Sequence, residues 1–251
     1  MKDLEYNMDE TNRKIIVTGA NGGIGSAICK KFLDEGFHVV GLDKSPQIQE
    51  CNSFYQFDIH LFIEEKTYFN EWSERFMELG SVYGLVNNAA VQILERFTDI
   101  KLKSWHESMN VNVTGPLFLS KVFHDSLVQQ NGSIVNIASI HQNLTKPKFV
   151  NYATSKSALV GLTKAMAVDL EGTIIVNSIS PAAISTPMLL AGFDGNKDAL
   201  KSLQKLHPVQ RIGTPEEVAE LAFFLITKNS GFINGANFTL DGGISSVLHD
   251  I

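Results

Sequence analysis

The chain has very few cysteines. Its 251 residues include only two, Cys29 and Cys51. Their spacing matches no metal or redox motif, so a disulfide-framed or zinc-held fold is excluded and a reducing compartment is the natural reading. Basic residues do not cluster. The net charge is −6 and no basic block or stripe is present, which argues against a nucleic-acid partner. Long apolar runs are missing too, because Lys, Asp, Asn or Gly interrupts each one before the length of a membrane span. Residues 1–14 are polar and charged, without the apolar centre of a signal peptide. These absences lead us to expect a cytoplasmic protein with no membrane partner, no nucleic-acid partner and no metal. No repeat or low-complexity tract is visible.

What is present is ample for a core: 44% of residues are hydrophobic. Short β-branched runs alternate with longer helical patterns. Strands are predicted at Lys14–Thr18, His38–Leu42, Phe54–Phe57, Gly84–Asn87, Ser133–Ile137, Ile174–Ile179 and Ala236–Leu240. Helices are predicted over Gly22–Asp34, Ile63–Leu79, Tyr152–Leu170 and Pro215–Thr227, with two more between the fourth and fifth strands. Thr214 reads as the N-cap of the Pro215 helix. Alternating β and α units imply an α/β fold: a Rossmann-type, doubly wound parallel sheet of about seven strands with helices on both faces. The organisation read from this is a polar arm at residues 1–13 and a single catalytic domain over 14–251. The mixed stretch from Pro187 to Pro208 looks like an insertion above the sheet.

Ligands of such sheets sit at the carboxyl ends of the strands, so the residues there carry the chemistry. Thr18-Gly19-Ala20-Asn21-Gly22-Gly23-Ile24-Gly25 joins the first strand to the first helix. Glycines permit a tight turn and close approach of backbone to a pyrophosphate, and the helix N-terminus offers unpaired N–H groups. Gly19, Asn21, Gly23, Ile24 and Gly25 are therefore cofactor candidates. Asp43 ends the second strand, where a carboxylate accepts hydrogen bonds from adenosine ribose hydroxyls and repels a 2′-phosphate. This favours NAD over NADP, with neighbouring Lys44 softening the discrimination. Asp58 ends the third strand, beside Ile59; it either contacts the adenine edge or caps the next segment.

Tyr152 precedes Lys156 by four residues, a spacing that brings side chains together on one helix face. An ammonium at ~6 Å and an effective dielectric of ~20 stabilises a phenolate by about 2.8 kcal/mol, a change in acidity of roughly a hundredfold. The expectation is a tyrosine made useful for proton transfer.

Taken in order, these motifs resemble those of the short-chain dehydrogenase/reductase family, in its shorter single-domain form, from Lys14 to Gly243. Thr18 to Gly25 matches its glycine motif. Asn87-Asn88-Ala89-Ala90 matches its Asn-Asn-Ala-Gly motif with alanine last. Asn112-Val113-Thr114-Gly115 matches the segment of its active-site asparagine, and Ser139, Tyr152 and Lys156 match its catalytic set. Pro181-Ala182 stands where Pro-Gly is usual, before Ile184-Ser185-Thr186-Pro187. Arg211 to Ala219 and Asp241-Gly242-Gly243 also match. Ala90 and Ala182 each add a methyl where glycine is usual, near the cofactor.

The resemblance implies an NAD-dependent oxidoreductase interconverting a secondary alcohol and a ketone. Tyr152 would act as general acid/base. Lys156 would tune it and bind the nicotinamide ribose. Ser139 would hold the substrate oxygen, and Asn112 a water behind Lys156. Asn88, Ala89, Ala90, Pro181, Ile184 and Thr186 would line the cofactor. The resemblance also implies a lid at 187–208 and a homodimer or homotetramer formed through helices around Asn112–Gln129 and Tyr152–Leu170. Alternatives are a 3-oxoacyl-thioester reductase, whose usual NADPH preference fits Asp43 poorly, and a cofactor-binding regulator without turnover, for which the complete Ser139, Tyr152 and Lys156 set has no use. A sugar-nucleotide epimerase or dehydratase would need a larger C-terminal region. Beyond these residues, His141 is a candidate substrate contact two positions after Ser139. His207, at the end of the lid, reads as solvated, and Cys29 as a small buried apolar residue.

Overall fold

The structure is a computed structural model that describes residues 13–48, 50–193, 195–227 and 231–248. The expected arm, apart from Arg13, lies outside the described residues. Seven parallel strands form one sheet: β1 (Lys14–Thr18), β2 (His38–Asp43), β3 (Ser53–Gln56), β4 (Gly84–Asn87), β5 (Ser133–Ile137), β6 (Ile175–Pro181) and β7 (Asn237–Leu240). Their order is β3-β2-β1-β4-β5-β6-β7. The order reverses between β1 and β4, and the cleft described below opens at the carboxyl ends there, as expected for doubly wound sheets.

The five inner strands are buried along nearly their whole length, which suits their largely apolar sequences. One face is covered by α1 (Gly23–Asp34) and α10 (Pro215–Thr227), with Phe32 packed on Phe37 and Phe223. On the other face lie α2 (Ile59–Glu64), α3 (Lys66–Met77) and α5 (Gly115–Val122), around Phe57, Phe62, Trp72, Phe76 and Phe123. Phe57 lies within about 5 Å, ring to ring, of Phe62, Trp72 and Phe76. Truncating such a side chain to alanine typically costs about 3–5 kcal/mol.

Three sequence expectations are adjusted. The helix predicted over Ile63–Leu79 is two helices, because Glu65 adopts an extended backbone between α2 and α3. α2 also starts four residues earlier, where the Asp58 carboxylate accepts from the N–H groups of His60 and Leu61. β6 runs on through Pro181, since its pairing with β7 continues to Pro181–Leu240. The predicted start of α10 holds. Thr214 Oγ1 accepts from Glu217 N–H, and the Glu217 carboxylate accepts from Thr214 N–H, a reciprocal cap. Arg211 grips the same carboxylate through two hydrogen bonds, 2.6 and 2.8 Å long, and holds its pKa down at about 2.

Cys29 is fully buried, as expected. The fold brings it to Cys51, whose hydrogen bond, with burial, pushes the Cys29 thiol pKa up.

Candidate active site

The glycine turn follows from its contacts. Gly19 has φ +65°, and a Cβ there would stand 2.8 Å from Ala89 Cα. A Cβ on Gly25 would lie 2.0 Å from the Gly19 carbonyl oxygen, so the first turn of α1 can pack on the loop only as glycine. Gly22 caps α1 without a side-chain hydrogen bond, and the first turn carries no acidic residue. The amino end of α1 thus keeps N–H donors and partial positive charge for an anion. Thr18 Oγ1 accepts from the N–H groups of both Asn88 and Ala89, and the Asn88 amide donates to the carbonyls of Thr18 and Gly19. The Asn88 side chain therefore locks the glycine turn to β4 rather than standing free.

At the end of β2, the Asp43 carboxylate accepts from Asn21 N–H at 3.1 Å and from Ser45 N–H at 3.0 Å, one bond per oxygen. Each oxygen retains a lone pair for a ribose hydroxyl. The Asn21 amide is taken up by the following loop, donating to the Ser45 and Pro46 carbonyls and accepting from Ile48 N–H. Of the two roles open to Asp58, the structure shows the cap.

These residues line one end of a cleft of about 1290 Å³. Gly19, Asn21, Gly23, Ile24, Asp43, Asp58, Ile59, Asn88, Ala89, Ala90, Pro181, Ile184 and Thr186 all line it, and so do Ser139, His141, Tyr152 and Lys156. Gly25 and Asn112 stand behind the wall. The chemistry of the lining fits a dinucleotide: a bare helix terminus for phosphates, a carboxylate beyond it for ribose, and a proton-transfer set at the far end.

That set is built on two elements. Ser139 leaves the end of β5, and its hydroxyl accepts from His141 N–H at 3.2 Å. Tyr152 and Lys156 sit one turn apart on α7 (Val150–Asp169). The Lys156 Nζ lies 5.7 Å from the centre of the Tyr152 ring and donates to the Ile137 carbonyl at 2.7 Å. The spacing is as expected, but the electrostatics are not. Burial pushes the Tyr152 phenol pKa up, against the hydrogen bond from Ser139, which pulls it down. Burial also pushes Lys156 down to about 7. The expected lowering of the phenol assumed a charge half in water. Lys156 is buried and Tyr152 half-buried, and desolvation there opposes the charged form of each.

Asn112 is placed behind the cleft wall. It is fully buried, and its amide is occupied: it donates to Val91 O and Ser155 Oγ and accepts from Val91 N–H. Its side chain thus ties the segment after β4 to α7. The segment Asn110–Thr114 that carries it is a π-helix, between α4 (Leu102–Met109) and α5, a local irregularity frequent at functional sites.

Above the cleft lie α8 (Pro187–Ala191) and α9 (Lys197–Leu206). Thr186 Oγ1 caps α8 by accepting from Leu189 N–H. Met188, Leu189, Leu203 and Leu206 form an apolar wall that the sequence reading passed over. Its signal was the helical spacing Ala199, Ser202, Leu203, Leu206 along one face of α9. His207, expected in solvent, is 2% exposed and lines the same cleft. It ends α9 with its ring held to the Leu203 carbonyl.

Residues 19–245 match a family model described as Enoyl-(Acyl carrier protein) reductase. The chain is 31% identical to the NAD-dependent glycerol dehydrogenase of Listeria innocua, over 96% of either chain. The chain belongs to the short-chain dehydrogenase/reductase family. It is also 32% identical to an acetoacetyl-CoA reductase of Cupriavidus necator, covering 93% of this chain and 98% of that protein. The ligand-free aldohexose dehydrogenase of Thermoplasma acidophilum superposes with a TM-score of 0.88 at 30% identity, over 96% of both chains. With this family come its Rossmann-type sheet and its reaction class, nicotinamide-dependent interconversion of an alcohol and a ketone. Among the described residues, no helix is long and apolar enough to cross a membrane.

Proposed function

We propose that this short-chain dehydrogenase/reductase uses NAD and acts on a secondary alcohol or its ketone, with Tyr152 as the proton-transfer group. The observation that carries this reading is one cleft lined at one end by Asp43 and the bare terminus of α1, and at the other by Ser139, Tyr152 and Lys156. When bound, the nicotinamide supplies the acceptor or donor of the hydride. Gly19, Gly23 and Ile24 hold the pyrophosphate, with Gly25 shaping the turn. Asp43 accepts from the adenosine ribose, and Ile59 and Asp58, whose Oδ1 caps α2, flank the adenine. Asn88, Ala89, Ala90, Pro181, Ile184 and Thr186 line the remainder of the cofactor.

In alcohol oxidation, the hydroxyl proton passes to the Tyr152 oxygen as the carbinol C–H bond breaks. In reduction, the phenol returns that proton to the carbonyl oxygen. The raised Tyr152 pKa keeps the phenol protonated for the acid role, and Lys156 in its ammonium form stabilises the phenolate, which is produced in reduction and is the base in oxidation. Ser139 turns its single hydroxyl hydrogen from Tyr152 to the substrate oxygen when substrate binds, while a lone pair stays with His141 N–H. Asn112 positions α7 from behind. α8 and α9 serve as a lid that excludes water. The protein works as a soluble, cytoplasmic homodimer or homotetramer.

The test is an alcohol and ketone panel, including acetoacetyl-CoA, run with NAD and NADP while following reduced-nicotinamide absorbance. Faster turnover with NAD is expected. Equal or better rates with NADP would remove the role given to Asp43.

A further inference from the structure

The two helices above the cleft carry an apolar face that the protein's own core leaves uncovered. Neither α8 nor α9 contains a buried residue. Yet Met188 and Leu189 of α8, and Leu203 and Leu206 of α9, all line the cleft. Met188 is 65% exposed and Leu206 60%. α9 is sorted by face: Ala199, Ser202, Leu203 and Leu206 line the cleft, whereas Lys197, Asp198, Lys201 and Lys205 do not. The apolar stripe of a surface helix normally faces a core. Here it faces the cleft. Exposed apolar side chains clustered around a concave site mark a surface that an apolar ligand covers.

A second wall has the same character and reaches the reacting end. Glu95 N–H donates to the Lys148 carbonyl, and Glu95 and Phe149 form a parallel bridge. This joins the segment after β4 to the start of α7 and sets Leu94 and Phe149, which both line the cleft, on adjoining backbone. Leu94 is 48% exposed. The Phe149 ring stands edge-on to the Tyr152 ring, 6.1 Å away, so the apolar lining begins beside the proton-transfer group. The charged Lys146 and Glu107 line the cleft too. Lys146 is exposed, with its ammonium 4.6 Å from the centre of the Phe149 ring, so its charge stays solvated. Glu107 belongs to α4, outside both apolar walls.

We propose that Met188, Leu189, Leu203 and Leu206, with Leu94 and Phe149, bind the apolar body of the substrate, so that the preferred substrate is a secondary alcohol or ketone with an extended hydrocarbon chain rather than a polyol, a sugar or a short alcohol. This rests on the alcohol–ketone reading above and names its substrate class.

The experiment measures kcat/KM along 2-butanol, 2-hexanol and 2-octanol and the matching 2-ketones, with xylitol as the polyhydroxylated comparison. Each added methylene raises the wild-type value roughly two- to fourfold, chiefly through KM, the gain from moving hydrocarbon out of water. 2-Octanol therefore exceeds 2-butanol by roughly tenfold or more, and xylitol is the poorest of the set. Met188→Ser and Leu206→Ser each lower the 2-octanol to 2-butanol ratio roughly three- to tenfold, and Leu206→Met preserves it. Leu190→Ser changes an α8 side chain that is 43% exposed but outside the lining, and leaves the ratio as it was. Thermal melting and NADH binding verify that each variant is folded; should one Ser variant at the cleft fail to fold, the other carries the test. Rates that stay flat or fall with chain length, xylitol turned over better than 2-octanol, or a ratio untouched by both cleft Ser variants overturns this inference alone. So does an untouched ratio accompanied by loss of self-association in sedimentation, which would assign the face to a second copy of the chain. No turnover of any alcohol or ketone with NAD or NADP overturns the alcohol–ketone reading together with it.

Discussion

The two ends of the cleft are made differently. At the cofactor end the walls are strand termini and a helix start, fixed by main-chain geometry: Gly19 against Ala89, Gly25 against Gly19, Asn88 and Thr18 cross-linking β1 to β4. At the substrate end the walls are side chains carried by α8, α9 and the segment after β5. The first kind tolerates almost no change, because a backbone approach leaves no room for a methyl group. The second can be repopulated with other side chains while the sheet stays as it is. A fold built this way can keep one cofactor and change substrates.

The largest expected effect lies where the two ends meet. Tyr152→Phe removes the proton carrier and should lower kcat by roughly 10²–10⁴-fold with NADH binding intact. Near-full activity in that variant would dismiss Tyr152 as acid/base. Next comes a test of the cofactor end. Asp43→Ala should move the NAD-to-NADP preference by roughly ten- to a hundredfold toward NADP, the scale of a hydrogen bond to a charged group; an unmoved ratio in steady-state kinetics would show that the carboxylate serves only Asn21 and Ser45. Gly25→Ala should cost about 1–3 kcal/mol of stability by overpacking against the Gly19 carbonyl, read from chemical denaturation. At the substrate end, Leu206→Ala should leave stability nearly unchanged by comparison, because Leu206 is 60% exposed. Equal losses from the two would erase the contrast.

Smaller effects follow from protonation. Lys156 is a base with its pKa lowered to about 7, so its ammonium form predominates below that pH and is lost above it. Tyr152, raised by burial, stays protonated well past this point. In the ketone-reducing direction kcat/KM of the free enzyme should therefore be highest on the acid side and fall as pH rises through about 7. A profile flat from pH 6 to 9 would contradict the burial argument. Smallest is the Arg211–Glu217 pair. It is solvent-exposed, so Arg211→Ala should change the melting temperature at neutral pH only slightly. Glu217 has its pKa lowered to about 2, so its contribution is present above the normal carboxylate range and disappears as pH falls toward 2. Acid titration of the melting temperature in both proteins checks this.

Much of the cofactor end was legible in the chain because its rules are local. A glycine at φ +65°, a helix without a side-chain cap and a carboxylate closing a strand are each written in a few consecutive residues. Asp58 was readable only as an alternative between adenine contact and cap, since which N–H groups meet it depends on where α2 begins. The amides of Asn112 and Asn88 bond to Val91 and Ser155, and to Thr18 and Gly19, which no short motif announces. Those partners are up to 70 residues away, beyond any local pattern. His207 reads as solvated from its place at the end of the 187–208 stretch, whereas contact with the 241–243 turn helps bury it.

By itself the sequence determined the parallel α/β sheet, the glycine turn, and the Tyr152–Lys156 spacing, because periodicity and short motifs act through neighbouring residues. Only the tertiary structure decided the electrostatic state of that pair. Burial is a property of everything packed around two side chains, and here it raises the phenol and lowers the ammonium where the spacing alone argued for a more acidic phenol.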